Sequence, residues 1–346
     1  MKNIDYDIVI IGAGPNGLYS YYQLTKQFPS KKIICLEKNK IASNIFDLPN
    51  VLWHSKMSEL KLPFHLNDLI DDDYHPMSIE LYRYYREFAI SKNINVKENS
   101  LVTKISNNVN SIIEIDVFNN KSKTVIKSEY VIISTGIYEN KNKLNIKDNY
   151  DYIFYDMNIT LKNKNLALIG GGNSAIDMII NLLPYNKIEW IIRDEKWGNI
   201  FSNLELLFEN VMEKFSDNLT INFNTTVEKF YPNNEIKLSN NKVLKNIDMC
   251  SVLTGFNSLN KLLTNSDFEF EKTCLKLNEA HETSKNNVYA FGSIMSKWNF
   301  QTKSPNPTYI HNGNDSKLRN IINDLKNKEL NKIMSPLNFP KKKHAS

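Results

Sequence analysis

Apolar residues come in short runs along this chain, and most of the runs end at glycine. Asp7-Ile8-Val9-Ile10-Ile11 stops at Gly12-Ala13-Gly14-Pro15-Asn16-Gly17, and Leu18 to Leu24 resumes at helical spacing. That order predicts a strand buried on both faces, a tight turn and a helix. A second strand is predicted at Lys32 to Leu36, ending in Glu37. The pattern returns with Asn165 to Ile169, the turn Gly170-Gly171-Gly172-Asn173-Ser174-Ala175 and the helical run Ile176 to Leu183. Its second strand, Lys187 to Ile192, ends in Arg193. Three more apolar runs stop at single glycines: Tyr130 to Ile133 before Thr135-Gly136, Met249 to Leu253 before Thr254-Gly255, and Val288 to Phe291 before Gly292-Ser293. Segment 79–90 predicts an amphipathic helix through Leu81, Tyr84, Tyr85 and Phe88. Segments 94–103 and 111–127 predict strands of a small attached sheet, and 315–329 a capping helix.

Two strand–turn–helix units predict an α/β chain with two Rossmann-like dinucleotide-binding domains. The expected division inserts the NAD(P)H domain, 153–258, into a discontinuous FAD domain, 1–152 and 259–346. Polar, Asn/Lys-rich sequence such as Asn140-Lys141-Asn142-Lys143 suits the crossover.

The turns carry the chemistry. Glycine is scarce, 11 in 346 residues, and six of the 11 lie in the two turns. Gly12 permits the tight turn, Gly14 lets a pyrophosphate touch the backbone, and Gly17 lets the helix pack on the strand. The helix N-terminus then faces the phosphates. Glu37, 25 residues after Gly12, stands where an acid binds ribose hydroxyls. The first unit therefore reads as an FAD site. The second reads as a nicotinamide-nucleotide site with contacts at Gly170, Gly172, Asn173, Ser174, Ala175, Thr254 and Gly255. Aligning the units sets Arg193 where Glu37 sits, and arginine accommodates a 2′-phosphate, so NADPH is expected. Asp194 keeps NADH as an alternative.

Composition removes other readings. Apolar residues are 41% and charged residues 23%, as in an ordinary globular enzyme. The net charge is +5, but 39 of the 43 basic residues are Lys, diluted by Asp and Asn, which reads as solvated surface and not as a nucleic-acid footprint. No run approaches the roughly 20 apolar residues of a membrane span. Met1 to Asp5 leads directly into a strand, so no secretory signal is expected and the cytoplasm is the expected compartment. The three cysteines, Cys35, Cys250 and Cys274, form no CxxC, which excludes a disulfide scaffold and a dithiol centre. Cys35 and Cys250 lie in apolar strands and read as core, as do the tyrosines at 19, 21, 22, 82, 84 and 85. The six histidines show no metal spacing, so no metal is expected.

Together these residues resemble the two-dinucleotide-binding-domain flavoproteins, a group that includes thioredoxin reductases and flavin-containing monooxygenases. The resemblance spans nearly the whole chain. The branch it is similar to is the bacillithiol disulfide reductase type, through Glu37-Lys38, Asn44-Ile45, Pro49, Ser55, Ser58-Glu59-Leu60, Pro63-Phe64, Tyr84-Tyr85-Arg86, Gly172 to Ala175 and Tyr309 to Gly313. The resemblance implies that Gly12, Ala13, Gly14, Pro15, Asn16 and Gly17 hold the FAD pyrophosphate and that Glu37 binds the adenosine ribose, with Lys38 a further FAD contact. It puts Val102 near adenine, Trp53, His54 and Ser55 near the flavin, and Gly292 and Ser293 at the ribityl chain; Thr135 and Gly136, in the turn that closes the first unit, are expected FAD contacts as well. His54 and His311 are the candidates for a catalytic histidine beside the flavin. Three departures matter. The pyridine-nucleotide domain lacks the CxxC of thioredoxin reductases. Asn16 stands where the bacillithiol branch carries a cysteine, and Gly292-Ser293 replaces the usual Gly-Asp. The monooxygenase fingerprint FxGxxxH is also missing, the stretch before the second unit reading Tyr152-Ile153-Phe154-Tyr155-Asp156.

The expected activity is that of an FAD-dependent NAD(P)H oxidoreductase, with hydride passing from nicotinamide to flavin. With no redox thiol in place, the leading second half-reaction is activation of O2 to oxygenate or oxidise a small molecule. The alternative is reduction of a small disulfide, a quinone or an electron-carrier protein. The expected partners are a small-molecule substrate and O2, with no nucleic acid and no membrane. A homodimer is compatible with the sequence.

Overall fold

The computed structural model describes residues 3–48, 51–53, 55–107, 112–119, 122–138, 140–155, 157, 160–198, 200, 202–299, 304–306 and 314–334. The chain opens with β1 (Tyr6–Ile11), α1 (Pro15–Gln27), β2 (Ile33–Leu36), α2 (Ser43–Phe46), α3 (Met57–Leu60) and α4 (Ser78–Ser91). Next come β3 (Val96–Lys97), β4 (Leu101–Asn107), β5 (Ile113–Asn119) and β6 (Ser122–Ile133). A second set follows: β7 (Ile153–Phe154), β8 (Asn165–Ile169), α5 (Asn173–Leu182), β9 (Lys187–Ile191), α6 (Ser202–Lys214) and β10 (Leu219–Asn222). It ends with β11 (Val227–Tyr231), β12 (Glu235–Leu238), β13 (Val243–Leu244) and β14 (Met249–Val252). The chain then adds α7 (Lys261–Thr264), β15 (Phe270–Glu271), β16 (Cys274–Leu275), β17 (Val288–Ala290), β18 (Lys297–Asn299), β19 (Ser304–Asn306) and α8 (Asn314–Met334).

The first sheet runs β3-β2-β1-β6-β5-β4, with β17 also paired to β6. β1 is parallel to β2 (Ile8↔Ile33, Ile11↔Leu36) and to β6 (Ile8↔Tyr130, Ile11↔Ile133). A strand between two parallel neighbours has helices or loops on both faces, which is why its apolar run is unbroken; Val9 and Ile10 are fully buried. The late return of β17 to this sheet brings Gly292 and Ser293 beside the end of β6. Leu318, Ile321, Ile322 and Leu325 of α8 enter the same core.

The second sheet, β10-β9-β8-β14-β7, is parallel throughout and is flanked by the antiparallel ribbon β11-β12-β13. Its apolar clusters draw on residues between Leu144 and Leu253. The protein is thus an α/β chain built from two sheet units, the first with a parallel centre extended by antiparallel strands and the second parallel throughout. The strands of the second lie between β6 and β17 of the first.

Two expectations need correction. Segment 111–127 is not one strand of a separate small sheet. It belongs to the hairpin β5–β6, which turns between Asn119 and Ser122, and both strands extend the first sheet. No glycine or proline interrupts Ser122 to Ile133, so β6 runs on from the hairpin into the buried parallel region as one strand. Segment 94–103 likewise splits into β3 and β4, on opposite edges of that sheet, because Asn99 adopts a left-handed conformation between them. The amphipathic helix appears as α4, with Leu81, Tyr84, Tyr85 and Phe88 all buried.

Candidate functional site

The two glycine turns have matching geometry. Gly12 and Gly170 lie at φ +102° and +124°, and a Cβ on either would collide with backbone, at 2.6 Å from Ser134 O and 2.3 Å from Leu253 O. Only glycine meets both conditions. At Gly17 a Cβ would stand 1.9 Å from Gly12 O, so α1 packs directly on the turn; Ala175, fully buried, takes that place in α5. Gly14 and Gly172 differ from these. A Cβ at Gly14 would meet only Asn44 Oδ1 at 4.0 Å, and one at Gly172 nothing within 4 Å. The space above both helix starts is therefore open.

The helix starts also suit an anion. No side chain caps α1 or α5, and neither has an acidic residue in its first turn. The positive end of each dipole is thus left for a ligand. Both helix starts are thus open, uncapped and free of acids, which suits an anionic ligand at each.

The rim of the first cradle is built by β2 and the loop after it. Glu37 is buried, and its carboxylate accepts the Ala13 N–H at 2.8 Å and the Asn39 N–H at 3.0 Å. Glu98, which sequence reasoning passed over, accepts the Ile41 N–H at 2.9 Å and pairs with Lys40. Lys38 is half-buried and Val102 is buried in β4. Thr135 accepts from Asn260 Nδ2 at 3.3 Å, and Gly136 faces Ser293 Oγ. Asn16 lies against Gly292. These residues come together at one end of the first sheet. Trp53 packs on the first core, its carbonyl 3.1 Å from His75 Nδ1, and Ser55 is half-buried. His54 and His311 lie outside the described residues.

The second rim corrects the alignment of the two units. Ile11 pairs with Leu36 and Ile169 with Ile191; Gly12 N donates to Leu36 O and Gly170 N to Ile191 O. By this register Ile192, not Arg193, occupies the place of Glu37, and Arg193 matches Lys38. The apolar run misled because it extends one residue past the ladder: Ile192 is buried, its Cγ2 packed over Gly171. Arg193 projects into solvent, 75% exposed, paired with Asp194 at 3.3 Å. Gly198 closes this loop by donating its N–H to Gly171 O at 2.8 Å. Thr254 and Gly255 sit on the crossover, where the Thr254 hydroxyl donates to Asn142 O and Asn142 Nδ2 to Thr254 O. In so Asn-rich a chain, Asn142 and Asn260 left no signal in the sequence.

No thiol lies at either turn in a reactive state. Cys35, Cys250 and Cys274 are all buried, and burial pushes each thiol above its ordinary pKa. Among the described residues no cluster of His, Cys, Asp or Glu could hold a metal, and no helix is long and apolar enough to cross a membrane.

The family model for pyridine nucleotide-disulphide oxidoreductases matches residues 9–292, from β1 to the end of β17's turn. The chain belongs to that family. A ferredoxin–NADP reductase from Ligilactobacillus salivarius is 28% identical over 309 residues, covering 84% of this chain and 83% of the relative. The fold is shared with bacillithiol disulfide reductase Bdr from Bacillus cereus (TM-score 0.80, 19% identity, 93% of this chain and 99% of that one). It is shared as well with a flavin monooxygenase from Stenotrophomonas maltophilia (TM-score 0.74, 14% identity, 93% and 98%). These matches, over 83–99% of the three chains, agree with the resemblance read from the glycine turns.

Proposed function

We propose that this oxidoreductase uses FAD and NADPH to reduce an electron-carrier protein of the ferredoxin type. The supporting observation is the conjunction of two features. The relatives that align along most of the chain are named ferredoxin–NADP reductases, and all three cysteines are sequestered, so no protein dithiol takes part. Carrier reduction therefore moves ahead of the O2 activation that the missing thiol alone suggested.

FAD, when bound, accepts a hydride and passes electrons on, and the protein's share is binding, orientation and exclusion of water. In this reading the FAD domain is 1–152 with 259–346 and the NADPH domain is 153–258. The N-terminus of α1 and the Gly14 backbone hold one pyrophosphate. Glu37, already fixed by two backbone N–H groups, turns its remaining acceptor capacity to the adenosine ribose. Thr135, Gly136, Gly292 and Ser293 border the flavin end. The N-terminus of α5 and Gly172 hold the second pyrophosphate. Ile192 puts an apolar side chain where a carboxylate would read a 2′-hydroxyl, and Arg193 beside it supplies the cation for a 2′-phosphate.

The test is a competition for electrons. Enzyme reduced with one equivalent of NADPH is mixed, in separate rapid-mixing runs, with a purified ferredoxin and with air-saturated buffer. Ferredoxin bleaching should be many-fold faster than O2 consumption. It should persist in Cys35→Ala/Cys250→Ala/Cys274→Ala. Rapid peroxide release with no ferredoxin bleaching would restore the oxygen-activating reading.

A further inference from the structure

A dinucleotide turn needs no glycine at its second residue, and the first turn carries Ala13 there; the second carries Gly171. The structure gives Gly171 a reason. A Cβ on it would lie 3.1 Å from Ile192 Cγ2 and 3.4 Å from Trp197 Cα, so the loop after β9 presses directly on the turn. The Gly198 N–H donates to Gly171 O at 2.8 Å, as the Ala42 N–H donates to Ala13 O at 3.1 Å in the first unit. In both units the loop that leaves the second strand is hung from the middle carbonyl of the glycine turn.

The units differ in what else holds that loop. In the first, the Glu37 carboxylate ties turn and rim together through the Ala13 and Asn39 N–H groups. Ile192 takes Glu37's place in the second and offers no such acceptor. A stack of rings serves there instead. Trp197 lies parallel to Trp190, with centroids 5.4 Å and planes 17° apart. Trp190, fully buried in β9, donates its indole N–H to Gly170 O at 2.7 Å. Phe208 of α6 meets Trp197 edge-on at 5.7 Å, and Phe223, after β10, lies at 5.8 Å. Through one half-buried side chain the loop is fixed to β9, to α6 and to the segment after β10, and through Trp190 to the turn itself. Ring pairs in these geometries add attraction beyond the area they bury.

Arg193 lies between the two ends of this fastening. On one side Ile192 O accepts from Thr225 N at 2.9 Å and Asp194 O from Asn224 N at 3.1 Å; on the other stand Trp197 and Gly198. The guanidinium is exposed and pairs with Asp194 of the same loop, so the loop decides where that charge stands. A charged donor reads a phosphate only where it is held within hydrogen-bond reach. We propose that Trp197 is a positioning residue for nucleotide choice: stacked on Trp190, it holds loop 193–198 so that Arg193 stands at the 2′-phosphate of NADPH. Trp197 acts through Arg193 and not on the nucleotide. This rests on the reading of Arg193 given above.

Calorimetric binding of NADP+ and of NAD+ to the oxidised, FAD-loaded enzyme isolates the 2′-phosphate without turnover. Trp197→Ala should weaken NADP+ about ten-fold, no more than Arg193→Ala does, and NAD+ hardly at all. Trp197→Phe, which keeps a ring on Trp190, should restore most of the preference. Arg193→Ala/Trp197→Ala should bind NADP+ no more weakly than Arg193→Ala alone, because a residue that acts through Arg193 then has nothing to position. If Trp197→Ala does not give folded, FAD-loaded protein, Trp197→Leu keeps the apolar bulk, loses the stack and carries the same expectations. An unchanged ratio of the two affinities in the Trp197 variant overturns the proposal. So do equal losses for NADP+ and NAD+, which would make Trp197 a general support of the fold. Fully additive losses in the double variant overturn it too, and would set Trp197 on the nucleotide itself. An Arg193→Ala variant that keeps the wild-type preference overturns the Arg193 reading, whatever Trp197 does.

Discussion

The Asn16 side chain fills the space that a side chain on Gly292 would need. A Cβ there would stand 2.7 Å from Asn16 Nδ2, 2.8 Å from Cγ and 2.9 Å from Cβ, and Gly292 holds φ at +90°. The start of α1 and the turn after β17 are thereby fitted to each other beside the first glycine turn.

Gly292→Ala should cost about 1–3 kcal/mol from backbone strain plus the collision. In an Asn16→Ala background two of the three colliding atoms are gone, so the same substitution should cost less. A thermal-unfolding cycle over the four proteins measures the coupling, with flavin content as a second readout. Strict additivity would show that the contact does not constrain Gly292.

Gly14 and Gly17 should fail in different ways. A side chain at Gly14 enters open space, so Gly14→Val should give folded but colourless protein, the pyrophosphate having lost its place. At Gly17 a Cβ meets Gly12 O at 1.9 Å, so Gly17→Ala must displace α1 or the turn and should lower the melting temperature of the FAD-free protein as well. Full flavin occupancy in Gly14→Val would remove FAD from the first cradle.

Arg193 and Asp194 form an exposed pair, and such pairs contribute little to stability. Arg193→Ala should therefore leave the melting temperature nearly unchanged. It should lower kcat/KM for NADPH by roughly 10- to 150-fold, as expected for losing about 1.5–3 kcal/mol of charge-assisted hydrogen bonding. NADH use should hardly change. Equal losses with the two nucleotides would mean that Arg193 acts on the loop and not on the 2′-phosphate.

The far end of α8 should make stability acid-sensitive. Burial alone would raise the Glu329 carboxyl, but hydrogen bonds from Lys31, Lys332 and Tyr130 outweigh it and lower the pKa from 4.5 to about 2. Lys31 stands 2.7 Å from one oxygen and the Tyr130 hydroxyl 2.8 Å from the other. A folded pKa below the unfolded one adds stability that is fully present above pH 4.5 and is lost as pH falls toward 2. Glu329→Gln should melt lower at neutral pH and show a flatter decline across that window. Parallel melting curves for the two proteins from neutral pH down to 2 would remove this network as a source of acid lability.

Both cradles were legible in the sequence because their causes are local. A buried parallel strand must be apolar throughout, a left-handed turn asks for glycine, and a helix that touches the turn must present Gly17 or Ala175. Each condition is met within a few residues, so the fold class and Glu37 at its rim could be read directly. What lay beyond local reach depended on how strands pair. Ile192 and Arg193 are adjacent, and only the ladder from Ile169 to Ile191 decides which one stands in Glu37's place. The continuity of β6, the meeting of Asn16 with Gly292 and the Asn142–Thr254 clamp join residues far apart in the chain. Their side chains carry no pattern of their own; packing brings them together, and packing is a property of the assembled sheets.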